Sequence, residues 1–276
     1  MLQFFIYPFI LLQLTILSCS TEPVHEREDD TPALPEIVGD SVSVLMIGNS
    51  NMGYNDLPGT FRELCEVRQR PVIVGKMIWY GRCLDYQAIN IMTQNKIKER
   101  AWDYVVLLGC ATRIAYPSEA SWSGVKWAVD TLKQVIEKNY PASQTVYFLP
   151  WAYADGVTWT TGEVHSREEM QENILANSLS LSRDLDVILA PVGIAFKNTL
   201  SSGYMWQTLI LGDRVHPQPQ GTFLAVCTIY TTLFGESTEL IPFTQGLNEN
   251  TAFELRQIGS LTVLDSLELW NTQISN

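Results

Sequence analysis

Val42-Ser43-Val44-Leu45-Met46-Ile47 runs without a charge into Gly48-Asn49-Ser50-Asn51. A run that is apolar at nearly every position, rich in β-branched side chains and stopped by a glycine, fits a parallel strand covered on both faces; a half-exposed strand would alternate. Four later runs share the pattern: Val72-Ile73-Val74, Tyr104 to Leu108, Thr145 to Leu149 and Val187-Ile188-Leu189. Between them, residues 57–67, 84–100, 123–139 and 166–184 carry apolar residues at helical spacing, for example Val125, Ala128, Val129, Leu132, Val135 and Ile136. Strand and helix alternate five times, which predicts a three-layer α/β fold around a five-stranded parallel sheet with right-handed crossovers. Functional groups in such a sheet gather at the carboxyl ends of the strands, where Ser50 stands.

The flanks of this region differ in composition. Met1 to Ser18 has no charge and is mostly apolar, too short for a permanent span of roughly 20 residues and suited to a signal-peptide core. Leu14-Thr15-Ile16-Leu17-Ser18-Cys19 resembles a bacterial lipobox, which implies acylation of Cys19 and a lipid-anchored protein of the cell envelope, on the outer membrane or facing the periplasm. Residues 19–40 hold seven acids, one Arg and three prolines with almost no large apolar side chain, and are expected to form an acidic disordered tether. Of the net charge of −12 for all 276 residues, −6 therefore belongs to the first 40. The remainder is mildly acidic and lacks the clustered cations that phosphate binding needs, so nucleic acid is excluded as a partner. With 46% hydrophobic residues the chain can bury a sizeable core, and one domain over residues 41–276 is the economical reading.

Cys65, Cys83, Cys110 and Cys227 are too few and too irregularly spaced for a disulfide framework or a zinc site. They are expected to be mostly buried thiols, although an exported location allows one bridge. Phosphate loops and paired metal-ligand motifs are absent, so no cofactor or metal is expected.

Histidine occurs at positions 25, 165 and 216 only. His25 falls in the tether and His165 in a loop, where both are expected to be solvated. His216 lies in Asp213-Arg214-Val215-His216-Pro217, ahead of an apolar run from Gln218 to Gly235 that reads as a helix with proline at its entry. Three residues of separation let the Asp213 carboxylate reach the His216 ring N–H, fix its tautomer and leave the other nitrogen free as a base. Ser50, His216 and Asp213 have the chemical types of a nucleophile, its base and the group that orients the base.

The two blocks together resemble those of the SGNH, or GDSL-like, hydrolases. Gly48-Asn49-Ser50 is similar to the first block of that family, with Asn49 in place of the usual Asp, and Asp213-Arg214-Val215-His216 to its D-x-x-H block. The resemblance implies a flavodoxin-like sheet and a Ser50-His216-Asp213 triad. It also implies an oxyanion hole built from the Ser50 amide, the amide of a Gly after the second strand, matched by Gly81, and an Asn side chain after the third strand. That strand ends instead in Gly109-Cys110-Ala111-Thr112, with Ala111 in the place of the Asn; Thr112 and Asn51 are the nearest polar side chains.

The expected activity is ester hydrolysis, with a small-molecule or saccharide ester as substrate and the membrane met through the lipid anchor. The alternative is a glycan-binding surface lipoprotein that kept the fold after losing the third-block Asn. Trp151, Tyr153 and Trp159 read as aromatic residues closing the domain edge, with a stacking surface for a sugar ring as the alternative, and Asp155 reads as a turn residue. Leu255 to Trp270 is apolar-rich and suggests a closing helix.

Overall fold

A computed structural model describes residues 41–271; the signal-peptide, Cys19 and tether segments lie outside the described residues. From β1 (Val42–Gly48) the chain makes one helical turn, α1 (Ser50–Gly53), then α2 (Leu57–Val67) and β2 (Val72–Ile78). Two short helices, α3 (Leu84–Ile89) and α4 (Ile91–Lys98), lead to β3 (Tyr104–Leu107), and α5 (Ala111–Ile114) and α6 (Glu119–Asn139) lead to β4 (Gln144–Phe148). A small antiparallel ribbon, β5 (Val157–Thr158) with β6 (Val164–His165), precedes α7 (Arg167–Leu185) and β7 (Ile188–Ala190). Helices α8 (Val192–Ser201), α9 (Trp206–Leu209), α10 (Pro219–Phe234), α11 (Glu249–Leu264) and α12 (Leu267–Trp270) complete the domain.

The main sheet has the order β2-β1-β3-β4-β7, with every pairing parallel. Within β1 the period-two alternation of side chains sorts the core into two layers. Val44 and Met46 pack with Val106, Val146, Phe148 and residues of α2, α8 and α10 on one face. Leu45 and Ile47 pack with Val105, Leu107, Tyr147 and residues of α3, α6 and α7 on the other. Both sets are fully buried, which is why this strand carries no polar alternation. Each such aliphatic side chain contributes about 1.5–3 kcal/mol on leaving water, so a charge placed on β1 would be disruptive. The predicted three-layer sheet is the observed one.

Several boundaries differ from the sequence reading. β2 runs past Val74 to Ile78 because Gly75 leaves room for the Trp102 ring; a Cβ there would sit 2.4 Å from it. The helix expected over 84–100 breaks at Asn90, whose side chain accepts the N–H groups of Met92 and Thr93 and starts α4 as a new N-cap. Helix α8 follows Pro191 directly and was not visible as a separate element, and the C-terminal helix starts at Glu249, six residues before Leu255. Helix α10 begins at Pro219 rather than Gln218, because Pro217 is held in a bridge with Ile210. Of the four cysteines, Cys83 and Cys110 form one bridge, with Cα atoms 5.1 Å apart. Cys65 and Cys227 are buried free thiols, whose pKa burial pushes up to about 12 in each case.

Candidate active site

The nucleophile candidate is built by the end of β1. Gly48 allows the close turn: a Cβ there would lie 2.9 Å from Met52 Sδ and 3.3 Å from Leu108 Cβ. Asn49 then caps α1 by accepting the Asn51 N–H at 3.0 Å. Ser50 becomes the first helical residue, and its own amide N–H has no intrahelical acceptor. Asn49 Nδ2 donates to Gly109 O at 3.3 Å, which ties the end of β1 to the end of β3.

The partner loop rises between Ile210 and Pro217, which bridge at its base. Asp213 Oδ1 accepts the N–H groups of Val215 and His216, both at 3.0 Å, a local turn that an Asp can direct from its own side chain. This turn carries Arg214 into a left-handed conformation with φ of 68°. Its guanidinium pairs with Asp155, and Trp151 Nε1 donates to Val215 O at 3.0 Å, so the loop is braced from the β4 side as well. Asp213 Oδ2 then meets His216 Nδ1 at 2.7 Å, and His216 Nε2 meets Ser50 Oγ at 2.8 Å. Burial alone would raise the pKa of Asp213, but the His216 and Val215 amides and the His216 ring hold its carboxyl below the usual value. Ser50, His216 and Asp213, 166 and 163 residues apart from first to last block, thus form one hydrogen-bonded line.

A second connection between the two blocks was not legible in the sequence. After α1, the Tyr54 ring stacks on the His216 imidazole, with centroids 4.2 Å apart and planes 12° from parallel. Asn55 Nδ2 donates to Pro217 O and Thr222 Oγ1, both at 3.0 Å. Asn55 and Asp56 hold positive φ, 54° and 46°, a conformation that Asn and Asp tolerate better than other side chains. The segment that follows Ser50 therefore grips the His216 loop directly. A Tyr-Asn-Asp run a few residues beyond Ser50 was the available signal, but it reads equally as an ordinary turn.

On the other side of Ser50, Trp79 N–H donates to Gly48 O at 3.0 Å, and Arg82 N–H closes a turn on Trp79 O at 3.2 Å. Gly81 occupies the third position of this turn with φ of 68°, where glycine carries no steric cost. Its amide makes no hydrogen bond among the described residues and is available as a donor. Ala111 is buried at the start of α5 and offers only a methyl group. Of the two nearest polar side chains, Thr112 lies beside the Tyr153 phenol, and Asn51 is 6% exposed with its Oδ1 unpartnered.

The remaining candidates lie elsewhere. His165 is not solvated as expected: Nε2 meets Glu163 Oε1 at 2.9 Å and Nδ1 meets Asn173 Nδ2 at 3.2 Å, at the base of the ribbon. Trp151 and Trp159 are 2% and 7% exposed, so they close the domain and do not form a stacking surface. Trp151 stacks on Phe196 and walls a cavity of about 170 Å³ behind the base loop. Among the described residues no group of acids, cysteines and histidines converges on a metal position.

No protein-family model and no curated protein matches this chain. Solved structures do. A DUF4886 family protein from Bacteroides uniformis superposes with a TM-score of 0.71 at 17% identity, over 82% of this chain and 95% of that one. A candidate SGNH hydrolase from Slackia heliotrinireducens gives a TM-score of 0.56 at 22% identity, over 70% and 100%. An acetylxylan esterase from Geobacillus stearothermophilus gives 0.52 at 13% identity, over 77% and 99%. The fold is that of the SGNH hydrolases. Ser50, just after β1, and His216 meet at the carboxyl edge of the sheet, and Ala111 opens α5 beyond the end of β3.

Proposed function

We propose that the protein is a serine esterase that removes an acyl group from a carbohydrate, held at the bacterial envelope through an acylated Cys19. The observation that carries the catalytic part is the line Asp213 Oδ2, His216 Nδ1, His216 Nε2, Ser50 Oγ, with contacts of 2.7 and 2.8 Å. Ser50 Oγ attacks the ester carbonyl while His216 Nε2 takes its proton. The carbonyl oxygen becomes an oxyanion received by the Ser50 and Gly81 amides. His216 returns the proton to the departing alkoxide, leaving an acyl-Ser50. A water then repeats the sequence: His216 takes its proton, the hydroxide attacks the acyl carbon, and Ser50 leaves with the proton restored. Asp213 keeps the Nδ1 proton in place throughout and favours the imidazolium.

The carbohydrate preference rests on the acetylxylan esterase among the structural neighbours and on the envelope anchor read from the lipobox. Acetate release from acetylated xylooligosaccharides and hydrolysis of p-nitrophenyl acetate, measured for wild type and Ser50→Ala, test the reading. Turnover that survives in Ser50→Ala contradicts it. Ala111 favours a second reading, a glycan-binding lipoprotein without turnover. That reading predicts oligosaccharide binding of equal strength in wild type and Ser50→Ala, with no acetate released by either.

A further inference from the structure

The segment that carries Gly81 has little to hold it. Tyr80 is 61% exposed, Gly81 and Arg82 are exposed, and a Cβ on Gly81 would meet nothing within 4 Å. Tyr80 rests its hydroxyl over Gly53, and the Arg82 guanidinium lies 4.8 Å from the Tyr86 ring, but both are contacts of exposed side chains. An oxyanion donor must be fixed before the charge develops, since a donor that reorganises during the reaction returns little. The firm attachments lie at the two ends of the segment. Trp79 N–H is bound to Gly48 O, one residue from Asn49, and Cys83 is covalently joined to Cys110.

Cys110 is itself part of the nucleophile's support. Asn49, which caps the turn bearing Ser50, donates through Nδ2 to Gly109 O and places the same nitrogen 3.8 Å from Cys110 Sγ. The connection therefore runs from Ser50 through Asn49 to Gly109 and Cys110, across the disulfide to Cys83, and back two residues to Gly81. We propose that the Cys83–Cys110 disulfide positions the Gly81 amide against Ser50, so that Cys83 and Cys110 are positioning residues of the oxyanion site. The bridge joins the loop after β2 to the residue before Ala111, where this chain has no polar side chain to supply a donor. With two amides left to hold the oxyanion, the placement of the less supported one limits the rate. This inference rests on the serine-esterase reading.

The test is the Cys83→Ala/Cys110→Ala variant, which leaves no unpaired thiol at the site, together with wild type reduced by dithiothreitol and reoxidised. Turnover of p-nitrophenyl acetate is measured well below each protein's Tm, and amide hydrogen exchange is followed in the peptide spanning residues 79–84. Displacement of one reacting partner by about 1 Å costs on the order of 100-fold, and kcat is expected to fall by about that factor with KM within about 2-fold. Exchange in residues 79–84 is expected to rise at least about 10-fold, while the β1 and β3 peptides keep their protection. Reoxidation restores both. A variant that is folded, exchanges at the wild-type rate over 79–84 and keeps kcat within about 2-fold overturns the proposal. If wild type shows no Ser50-dependent hydrolysis, the esterase reading fails separately, and unchanged exchange alone then rejects the positioning role.

Discussion

Asp213→Asn is the substitution for which the geometry gives the sharpest expectation. Asp213 uses its two oxygens differently: Oδ1 accepts the Val215 and His216 amides at 3.0 Å, and Oδ2 meets His216 Nδ1 at 2.7 Å. An Asn can keep its oxygen in the first position and so preserve the turn. Its NH₂ group then faces Nδ1 as a donor, and Nδ1 must become the acceptor. The imidazole proton moves to Nε2, which lies 2.8 Å from Ser50 Oγ, and the ring can no longer take the serine proton. A wrong tautomer of this kind costs about 10⁴ in kcat in a serine triad, equivalent to roughly 5.4 kcal/mol of barrier at 1.36 kcal/mol per decade. Asp213→Ala loses the two amide bonds as well, about 1–2 kcal/mol for this half-exposed turn, and its Tm should fall by roughly 2–8 °C. The assay is the initial rate of p-nitrophenyl acetate hydrolysis with thermal melts of both variants. The two should share a collapsed kcat, near-normal KM and differ in Tm. A kcat for Asp213→Asn within about tenfold of wild type would refute the assignment of Asp213 as the orienting group.

The other predictions concern the supports of the line. Asn55→Ala removes the bonds to Pro217 O and Thr222 Oγ1 and should lower kcat/KM by about 10-fold through loss of loop alignment, whereas a value within 2-fold of wild type would show that the Tyr54 stack suffices. Because the folded pKa of Asp213 is depressed, its stabilising contribution is complete above the unfolded value of about 3.9 and is lost as pH falls through the folded value. The Tm difference between wild type and Asp213→Asn should therefore be constant above about pH 5 and close in more acid solution; a gap that widens on acidification contradicts the shift. The disulfide joins residues 27 apart, and the loop-entropy relation gives roughly 3.6 kcal/mol for its loss. Calorimetry of Cys83→Ala/Cys110→Ala should show a Tm lower by about 7–14 °C, and a shift under about 3 °C would mean that the bridge constrains little in the unfolded chain.

What could be read from the sequence was local or repetitive. The strand ending at Gly48 announces burial on both faces because all of it but Ser43 is apolar, and a parallel sheet follows from the alternation of strands with helices. The D-x-x-H spacing declares its own turn, since Asp213 reaches the amides two and three residues ahead without help from distant parts of the chain. The supports of the site have no such signature. Tyr54 and Asn55 act on residues 162 or more positions away, and nothing around them distinguishes a clamp from a surface turn. Cys83 and Cys110 read as irregularly spaced thiols until the sheet brings the ends of β2 and β3 together. Trp151 and Trp159 leave two readings open in the sequence, since aromatic residues in a loop can form a stacking platform or close the edge of a domain; here the loop turns inward and their rings complete the core.

The central claim is that Ser50 is an activated nucleophile. Reaction of the purified protein with a fluorophosphonate, followed by mass spectrometry of the peptide that contains Ser50, tests it most directly. One phosphonyl group per chain is expected on Ser50, absent from Ser50→Ala and slowed by at least about 10³-fold in His216→Ala, where no base remains. Labelling that falls on another residue, or that proceeds at the wild-type rate after His216 is removed, would contradict the account.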